Sequence, residues 1–436
     1  MAELSPAATR LSESLLSHEL APREVLRTPA LSRWNAVRGV RVALSAAILL
    51  LLLAGANLAT PLYPVLQQRL HLTALDTTLL FTTYVFALVP VLAAAGHWSD
   101  QLGRRALVLP AVALAAGGDA IFATAGSLGQ LAAGRAVQGI AVGLATGAAG
   151  AALGDLLPDR PSLAAKLTLA ASAGGVALGP LLGAALSGAV PGADPVLAPF
   201  LIHACALLAL CIPLAVLHPR SPGHHHSEAR PQRSPGALRP RALSLPARGR
   251  RPFLLAAASG FVSYAVFGVY LSLAPSYTAS LLHTRDPLVG ALVAALLLGS
   301  SATAQLLARP THGRAVPALG MAGLALGLSL VVLAGYAHTP ALLFLGSVLA
   351  GTSQGLAFRA LFTRATAALD PSGRAGQLST LWVIVYLGSS LPIIGVGLLA
   401  QHLGILPAVT LFTTVAATAC VALAGASLQR TAAISS

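Results

Sequence analysis

The chain has 436 residues, of which 56% are hydrophobic and only 9% are charged, whereas a soluble domain carries about 25% charged residues. Continuous apolar runs of about 20 residues predict membrane-spanning helices and exclude the alternating pattern of a transmembrane barrel. The formal net charge of +14 does not indicate nucleic-acid binding, because most Lys and Arg residues fall in segments that we expect on the cytoplasmic side of a membrane.

Residues 1–36 are polar and contain scattered Pro, Ser and Thr. They do not resemble a signal peptide, because the first apolar run begins late and is too long. We therefore expect a cytoplasmic N-terminal tail.

Two groups of six apolar runs follow this tail. The first half, 37–217, has predicted spans at 40–61, 77–95, 106–125, 128–153, 163–190 and 196–217. The second half, 253–428, has predicted spans at 253–273, 289–307, 315–336, 341–361, 378–400 and 408–428. The sequence thus predicts an all-α polytopic membrane protein with twelve transmembrane helices in two six-helix halves.

The segment 218–252, between the halves, is rich in Pro, Arg, His and Ser and is interpreted as a flexible cytoplasmic linker. The segment 429–436 forms a short C-terminal tail. Six spans in each half place both termini and the linker on the cytoplasmic side, and we expect the protein in the inner (plasma) membrane.

The connection between predicted spans 2 and 3 is short, polar and rich in charge. It reads Gly96-His97-Trp98-Ser99-Asp100-Gln101-Leu102-Gly103-Arg104-Arg105. Its glycines permit a tight turn, and its two arginines are expected to face the cytoplasm. The candidate functional residues of this loop are Gly96, Asp100, Gly103, Arg104 and Arg105.

Charged residues inside the apolar runs are the next signal, because they are costly in hydrocarbon and are functional candidates by default. Asp119 in span 3 and Arg135 in span 4 are expected at similar depths on adjacent antiparallel helices. Together with Gln138 they form the candidate proton-coupling group. Two alternatives remain open: Arg135 extends towards the outer surface, or Asp119 has a structural role only.

Span 5 carries small residues at a spacing that allows close helix packing. Its sequence Gly174-Gly175-Val176-Ala177-Leu178-Gly179-Pro180-Leu181-Leu182-Gly183 also contains a helix-kinking proline. We interpret Gly175, Gly179, Pro180 and Gly183 as a hinge at which one half rocks on the other. The alternative is a glycine-rich packing face that gives no information about the direction of any transport.

Three motifs, at Gly96–Arg105, Arg135–Gly139 and Gly175–Gly183, resemble those of the major facilitator superfamily, and the resemblance extends over nearly all of residues 37–430. It implies that the loop, here called the gate loop, latches a cytoplasmic gate, that Arg135 takes part in proton coupling and that span 5 is of the drug/proton antiporter type. Asp119 is not part of the family pattern and is selected from its predicted burial and depth in span 3 alone. Three residues depart from the usual pattern: Trp98 replaces leucine, Gln101 replaces arginine, and Ala184 follows Gly183 where a second glycine is usual.

The two predicted halves share weak sequence echoes. Arg309-Pro310-Thr311-His312-Gly313-Arg314 occupies the place of the gate loop but lacks its aspartate. Gly351-x-x-Gln354-Gly355 in span 10 resembles Gln138-Gly139 in span 4. Such echoes support an internal repeat.

Candidate substrate-binding residues are polar or aromatic side chains within the spans. They are Asn57 in span 1, Tyr264 and Phe267 in span 7, and Trp382 and Tyr386 in span 11. Aromatic stripes also serve for packing or as an interfacial belt. A cavity lined by aromatic rings and poor in charge suits a bulky apolar or weakly basic solute.

No other chemistry is indicated. The sequence has no P-loop for ATP-driven transport, and no spacing predicts a metal site, a cofactor site or an enzyme active site. Cys205, Cys211 and Cys420 are interpreted as small core residues, and the adjacent His224, His225 and His226 as solvated.

We therefore expect a monomeric, proton-coupled exporter of small organic molecules. An uptake permease is the alternative, and a membrane-embedded enzyme or transporter-like sensor is a more distant one. The expected partners are the substrate, protons and the lipid bilayer.

Overall fold

The computed structural model describes residues 38–95, 98–216, 243–247, 249–284, 286–308, 315–370 and 373–429. Within these residues twelve helical segments are long and apolar enough to cross a membrane, which confirms the predicted fold class. Spans 1 to 6 are Arg38–Leu70, Ala74–Ala95, Arg104–Ala123, Leu128–Leu156, Pro161–Ser187 and Leu197–Val216. Spans 7 to 12 are Arg250–Ser272, Pro287–Leu307, Ala315–Ala337, Pro340–Ala367, Gly376–Leu403 and Ile405–Leu428.

Span 1 is not the single continuous helix that the apolar run predicts. Its first helix, Arg38–Gly55, gives way to a short 3₁₀ turn at Thr60–Leu62 and a second helix, Tyr63–Leu70. Pro61 has no N–H to continue the helical ladder, and the amide of Thr60 bonds to the carbonyl of Asn57. The carbonyl of Ala56 is thereby left free for a side chain from another span.

Span 11 is interrupted in the same manner, between Arg374–Gly388 and Leu391–Leu403, next to Pro392. The two halves also share a shorter feature. Tyr63–Leu70 in the first half and Ala274–Leu282 in the second each end at a left-handed histidine, His71 and His283. These common features give structural support to the internal repeat.

The halves meet where span 5 packs on span 8 and where span 2 packs on span 11. At one end of the bundle the hydroxyl of Ser276 donates to Oε1 of Gln67 over 3.0 Å, across the halves. There too, Gly397 of span 11 lies against Thr78 of span 2. We name this end after Arg69, which lies close to Gln67, and the opposite end after Arg38, the first residue of span 1.

The N-terminal tail, most of the linker with its three histidines, the loop at 309–314 and residues 430–436 lie outside the described residues. The few described linker residues pack at the Arg38 end of the second half. There the amide of Ala247 donates to Asp370 over 2.8 Å, and the amide of Ser244 donates to Thr380 over 3.0 Å.

Candidate functional site

The gate-loop segment forms a short helix, Trp98–Leu102, followed by Gly103 and span 3. Gly103 adopts φ +92°, a conformation that favours glycine. Nε of Arg104 lies 3.0 Å from Oδ2 of Asp155, at the end of span 4, so the loop is tied to its own half. Gly96 and the side chain of Asp100 lie outside the described residues.

Trp98, which stands where leucine is usual in the resembling motif, is partly buried. It packs against the hydrophobic cluster formed by spans 1, 3, 4 and 6. The substitution therefore keeps an apolar anchor for the loop, with a larger side chain.

A fully buried polar network crosses the middle of the first half. One oxygen of Asp119, Oδ1, accepts from Nε2 of Gln138 over 2.8 Å. Its other oxygen, Oδ2, lies 2.6 Å from Nδ1 of His203 in span 6. Nε2 of His203 lies 2.9 Å from the backbone carbonyl of Leu51 in span 1. Spans 1, 3, 4 and 6 are thus joined through one carboxylate and one imidazole.

Arg135 continues the network on the other side of Gln138. Its Nη1 donates to Oε1 of Gln138 over 2.9 Å and to the carbonyl of Ala56, freed by the interruption of span 1, over 2.7 Å. Its guanidinium carbon lies 4.5 Å from the ring centroid of Tyr84 in span 2, a distance suited to a cation–π contact. Nε and Nη2 of Arg135 have no hydrogen-bond partner.

Small residues bring these helices together. A Cβ at Gly118 would lie 2.9 Å from the side chain of Gln138, and one at Gly134 would lie 3.0 Å from Phe122. On span 1, a Cβ at Gly55 would overlap the ring of His203. A larger residue at any of these three positions would therefore displace a side chain of the network or push its helices apart.

The arrangement differs from the predicted one in two respects. Asp119 and Arg135 lie at a similar depth, but Gln138 stands between them. The direct partner of Asp119 is His203, which the sequence reasoning missed. An imidazole in the apolar run of span 6 was the available signal, since ionisable residues inside spans are functional candidates.

The glycines of span 5 face span 1. A Cβ at Gly175, Gly179 or Gly183 would lie within 2.5 Å of a backbone carbonyl oxygen of span 1. The oxygens are those of Leu50, Ala54 and Leu58. The predicted close packing is present, but it lies inside the first half and not between the halves. Pro180 is buried within the same helix.

Four predicted substrate-binding residues gather in one aromatic cluster in the second half. The ring of Tyr264 has its centroid 5.3 Å from Phe267, 5.5 Å from Tyr386 and 6.3 Å from Trp382. Span 10 adds two rings that the sequence reasoning did not select. They are Phe358 and Phe362, at 6.3 and 5.5 Å from Trp382.

Most of these rings are only partly buried, so they present an accessible aromatic surface. Tyr84, which covers Arg135, belongs to the same hydrophobic cluster as Phe267 and Tyr386. The aromatic surface of the second half and the polar network of the first half are therefore contiguous.

Asn57 lies apart from the aromatic rings. Its Nδ2 donates to the carbonyl of Leu53 in its own helix over 3.0 Å. Its Cβ fills the space beside Gly179. Its observed contacts are those of a packing residue between spans 1 and 5.

The expectation for the cysteines was wrong for one of them. Cys420 is buried, whereas Cys205 is on the surface of the bundle. An apolar run does not place each of its residues inside, because the lipid-facing side of a span is equally apolar. Within the described part of the chain, no group of three potential ligands is placed to hold a metal ion.

Comparison with known proteins gives three results. The sequence model described as "Major Facilitator Superfamily" matches residues 44–393. A stretch of 104 residues is 31% identical to the bacillibactin exporter of Bacillus subtilis (strain 168). This match spans 23% of the chain and only 26% of that exporter.

The fold is similar to solved structures of a bacterial homologue of the human lysosomal transporter Spinster. The inward-facing, occupied form aligns with a TM-score of 0.71 at 16% identity, over 89% of this chain and 96% of the homologue. The inward-facing, unoccupied form aligns with a TM-score of 0.71 at 15% identity, over 90% of this chain and 98% of the homologue. At such identity the likeness concerns the fold alone.

Proposed function

The chain belongs to the Major Facilitator Superfamily, and we propose that within this family of membrane transporters it is a proton-coupled exporter of small, largely apolar organic compounds. The observation that carries the proposal is the buried pair of Asp119 and His203, connected through Gln138 to Arg135. Burying ionisable groups in a membrane span is costly in free energy, and a role in proton binding would account for their presence there.

The direction of transport rests on span 5. Its Gly-x-x-x-Gly-Pro-x-x-Gly motif resembles that of drug/proton antiporters, and its glycines make the close contact with span 1 that such a motif requires. The partial similarity to an exporter agrees with this direction. An uptake permease is the alternative, and the direction of flux separates the two.

The substrate class rests on the aromatic cluster. Six rings from spans 7, 10 and 11 form its surface, and they are contiguous with Tyr84 of the first half. Aromatic faces bind apolar groups and attract cations. A bulky aromatic compound, neutral or weakly basic, suits this surface better than a multiply charged anion.

Transport would proceed by alternating access, with the site between the halves exposed at either end in turn. Contacts across the halves at Gln67–Ser276 and Thr78–Gly397 would close the Arg69 end. The gate loop, which the Arg104–Asp155 bridge ties to its own half in this structure, would close the Arg38 end in the opposite state. Asp100 and Arg105 would complete that latch.

We place the transporter in the inner membrane as a monomer without a cofactor, with both termini and the Arg38 end in the cytoplasm. Cysteine-accessibility labelling of intact cells tests the topology. A cysteine introduced at Ala193, beside Asp194, is expected to react from outside. One at Pro158, beside Asp159, is expected to be protected.

The test of function uses ethidium, an aromatic cation whose fluorescence reports its position. In cells, overexpression is expected to lower ethidium accumulation, and a protonophore is expected to abolish the effect. In proteoliposomes, an imposed pH gradient is expected to drive ethidium movement faster than in protein-free vesicles. Uptake of ethidium by energised cells would instead favour the permease.

Two substitutions test whether the buried polar network couples transport to protons. Asp119→Asn is expected to bind ethidium but to lose the response to the gradient, and Arg135→Ala to lose both. Asp159→Asn is the matched control, because its carboxylate lies at the surface, 3.5 Å from Arg38. Gradient-driven flux that is unchanged in Asp119→Asn would rule out the assigned role.

A further inference from the structure

The hydrogen bonds of His203 define where its hydrogens are. Nε2 faces the carbonyl oxygen of Leu51 at 2.9 Å. A carbonyl oxygen can only accept a hydrogen bond, so Nε2 must carry a hydrogen and donate it. The Nε2–H form of the imidazole, or its fully protonated form, is thus the one that fits the structure.

The contact of His203 with Asp119 then requires a second hydrogen. Nδ1 lies 2.6 Å from Oδ2 of Asp119, and a hydrogen must lie between these atoms for them to bond. Either Nδ1–H donates to the carboxylate, or a protonated Asp119 donates to a bare Nδ1. In both cases the pair holds one proton more than a neutral imidazole beside a carboxylate, and its net charge is zero.

The surroundings of the pair determine what loss of this proton does. Span 3 presents Asp119, and span 4 presents Gln138 with the cation of Arg135 behind it. Span 1 presents only backbone, at Leu51 and Gly55. Span 5, the remaining neighbour of span 6, has Lys166 as its one ionisable residue, exposed near the Arg38 end. Arg135 is therefore the nearest balancing charge.

We propose that the His203–Asp119 pair is a proton-binding site, that it is loaded in this structure, and that release of its proton loosens span 6 from span 1 or span 3. The proposal rests on the proposed function and names the carrier within it. After release the pair has one hydrogen for two bonds. Either Nε2 faces Leu51 without a hydrogen, or Nδ1 faces the Asp119 carboxylate without one.

Release thereby acts on helix packing as well as on charge. One proton passes from the pair to water, and no other bond is made or broken. The uncompensated carboxylate is then drawn towards Arg135, whose Nε and Nη2 have no partner here. A paired guanidinium and carboxylate would differ from the present arrangement, in which Gln138 separates the two.

The experiment counts protons. Purified protein in weakly buffered detergent is titrated with standard base from pH 5 to pH 10. An ordinary aspartate, with a pKa near 3.9, releases nothing in that range. Asp119→Asn is nevertheless expected to release one proton fewer than the wild type, because His203 without its anionic partner stays neutral. The double variant Asp119→Asn with His203→Gln is expected to match Asp119→Asn.

Two control comparisons accompany the count. Asp159→Asn removes an exposed carboxylate and is expected to leave the count unchanged. Gly55→Ala keeps both ionisable groups but displaces the ring of His203, so the proton is expected to leave at lower pH. Gly39→Ala, in the same helix with nothing within 4 Å of the added Cβ, is expected to titrate as the wild type. Each variant is checked for a monodisperse elution profile.

If Asp119→Asn releases as many protons as the wild type between pH 5 and pH 10, the inference is overturned, whatever the transport result. A count reduced by one, together with wild-type ethidium flux that ignores the pH gradient, retains the proton site and overturns the proposed function. A full count with gradient-driven flux in Asp119→Asn overturns the site and retains proton-coupled export by another group.

Discussion

The two halves share one arrangement of helices, but they differ in where buried ionisable groups and aromatic rings lie. The buried carboxylate, guanidinium and imidazole of the described residues all lie in the first half, at Asp119, Arg135 and His203. At the related position of the second half, Gln354 accepts from the hydroxyl of Ser301, and no charge is buried with it. Within the described residues, therefore, only the first half has an ionisable interior.

The aromatic surface has the opposite distribution. Its six rings come from spans 7, 10 and 11 of the second half. Close glycine packing, by contrast, occurs in both halves. Gly139 lies against span 2, and Gly351 and Gly355 lie against span 8. Packing is therefore a property of the shared fold, whereas charge and aromatic surface are specific to one half each.

The largest expected effect tests the shared packing. Gly179→Leu would place its side chain against the carbonyl of Ala54, 2.5 Å from the Cβ position. Overpacking costs about 1–3 kcal/mol and sometimes more, and backbone cannot move aside as a side chain can. We expect loss of transport and a reduced yield of monodisperse protein.

The control for this change lies in the same helix. A Cβ at Gly174 meets nothing within 4 Å, so Gly174→Leu is expected to fold and to transport ethidium. If Gly179→Leu transports at the wild-type rate, the contact of spans 1 and 5 does not constrain the fold.

The next prediction compares the related polar positions of the two halves. Arg135→Ala leaves Oε1 of Gln138 and the carbonyl of Ala56 without donors, at about 1–3 kcal/mol for each buried group. Gln354→Leu removes an amide whose Nε2 has no partner and leaves one neutral group, the hydroxyl of Ser301, without its acceptor, so we expect a smaller destabilisation. Thermal unfolding in detergent and ethidium flux are to be measured for both variants.

Equal destabilisation by the two changes would contradict the division between the halves. It would mean that the polar interior is structural in both. A large effect of Gln354→Leu on flux alone would instead assign the second half a part in binding.

The helices could be predicted because a span needs only a long apolar run. The interruptions of spans 1 and 11 also have a local cause, next to Pro61 and Pro392. The partners across helices could not be predicted. His203 meets a residue 84 positions away in the chain, and hydropathy gives no information about helix rotation or neighbours.

The candidate site shows the same limit. The spacing of glycines in span 5 predicted close packing, but not that span 1 would be the partner. Tyr264 and Trp382 were selected because their spans contain aromatic residues at helical spacing. Phe358 and Phe362 are also four apart, yet only the rotation of span 10 brings them to the same surface.

A smaller effect is expected at the aromatic surface. Trp382 lies within 6.3 Å, between ring centroids, of four other rings. Removing such a ring from a ligand surface costs about 1.4 kcal/mol, so Trp382→Ala is expected to weaken ethidium binding about ten-fold. Fluorescence titration of the purified protein measures it. Tyr336→Ala, which removes an exposed ring, is the control, and equal loss in both variants would exclude a specific surface.

The smallest effect concerns a charge of the first half that lies at its surface and not in its interior. Burial alone would raise the pKa of Asp194, but the amides of Val196 and Leu197 and the side chain of Arg69 lower it overall. A lowered pKa stabilises the folded state above the unfolded value of about 3.9, and the effect is lost as the pH falls through the folded value. Asp194→Asn is therefore expected to reduce the free energy of unfolding at pH 7 by less than about 1 kcal/mol for so exposed a pair, seen as a small fall in the thermal midpoint. The variant is expected to match the wild type only once the pH falls below the lowered pKa of the folded state. A loss as large as that of Arg135→Ala would mean that burial does not distinguish the two charges, and the comparison of interior with surface would fail.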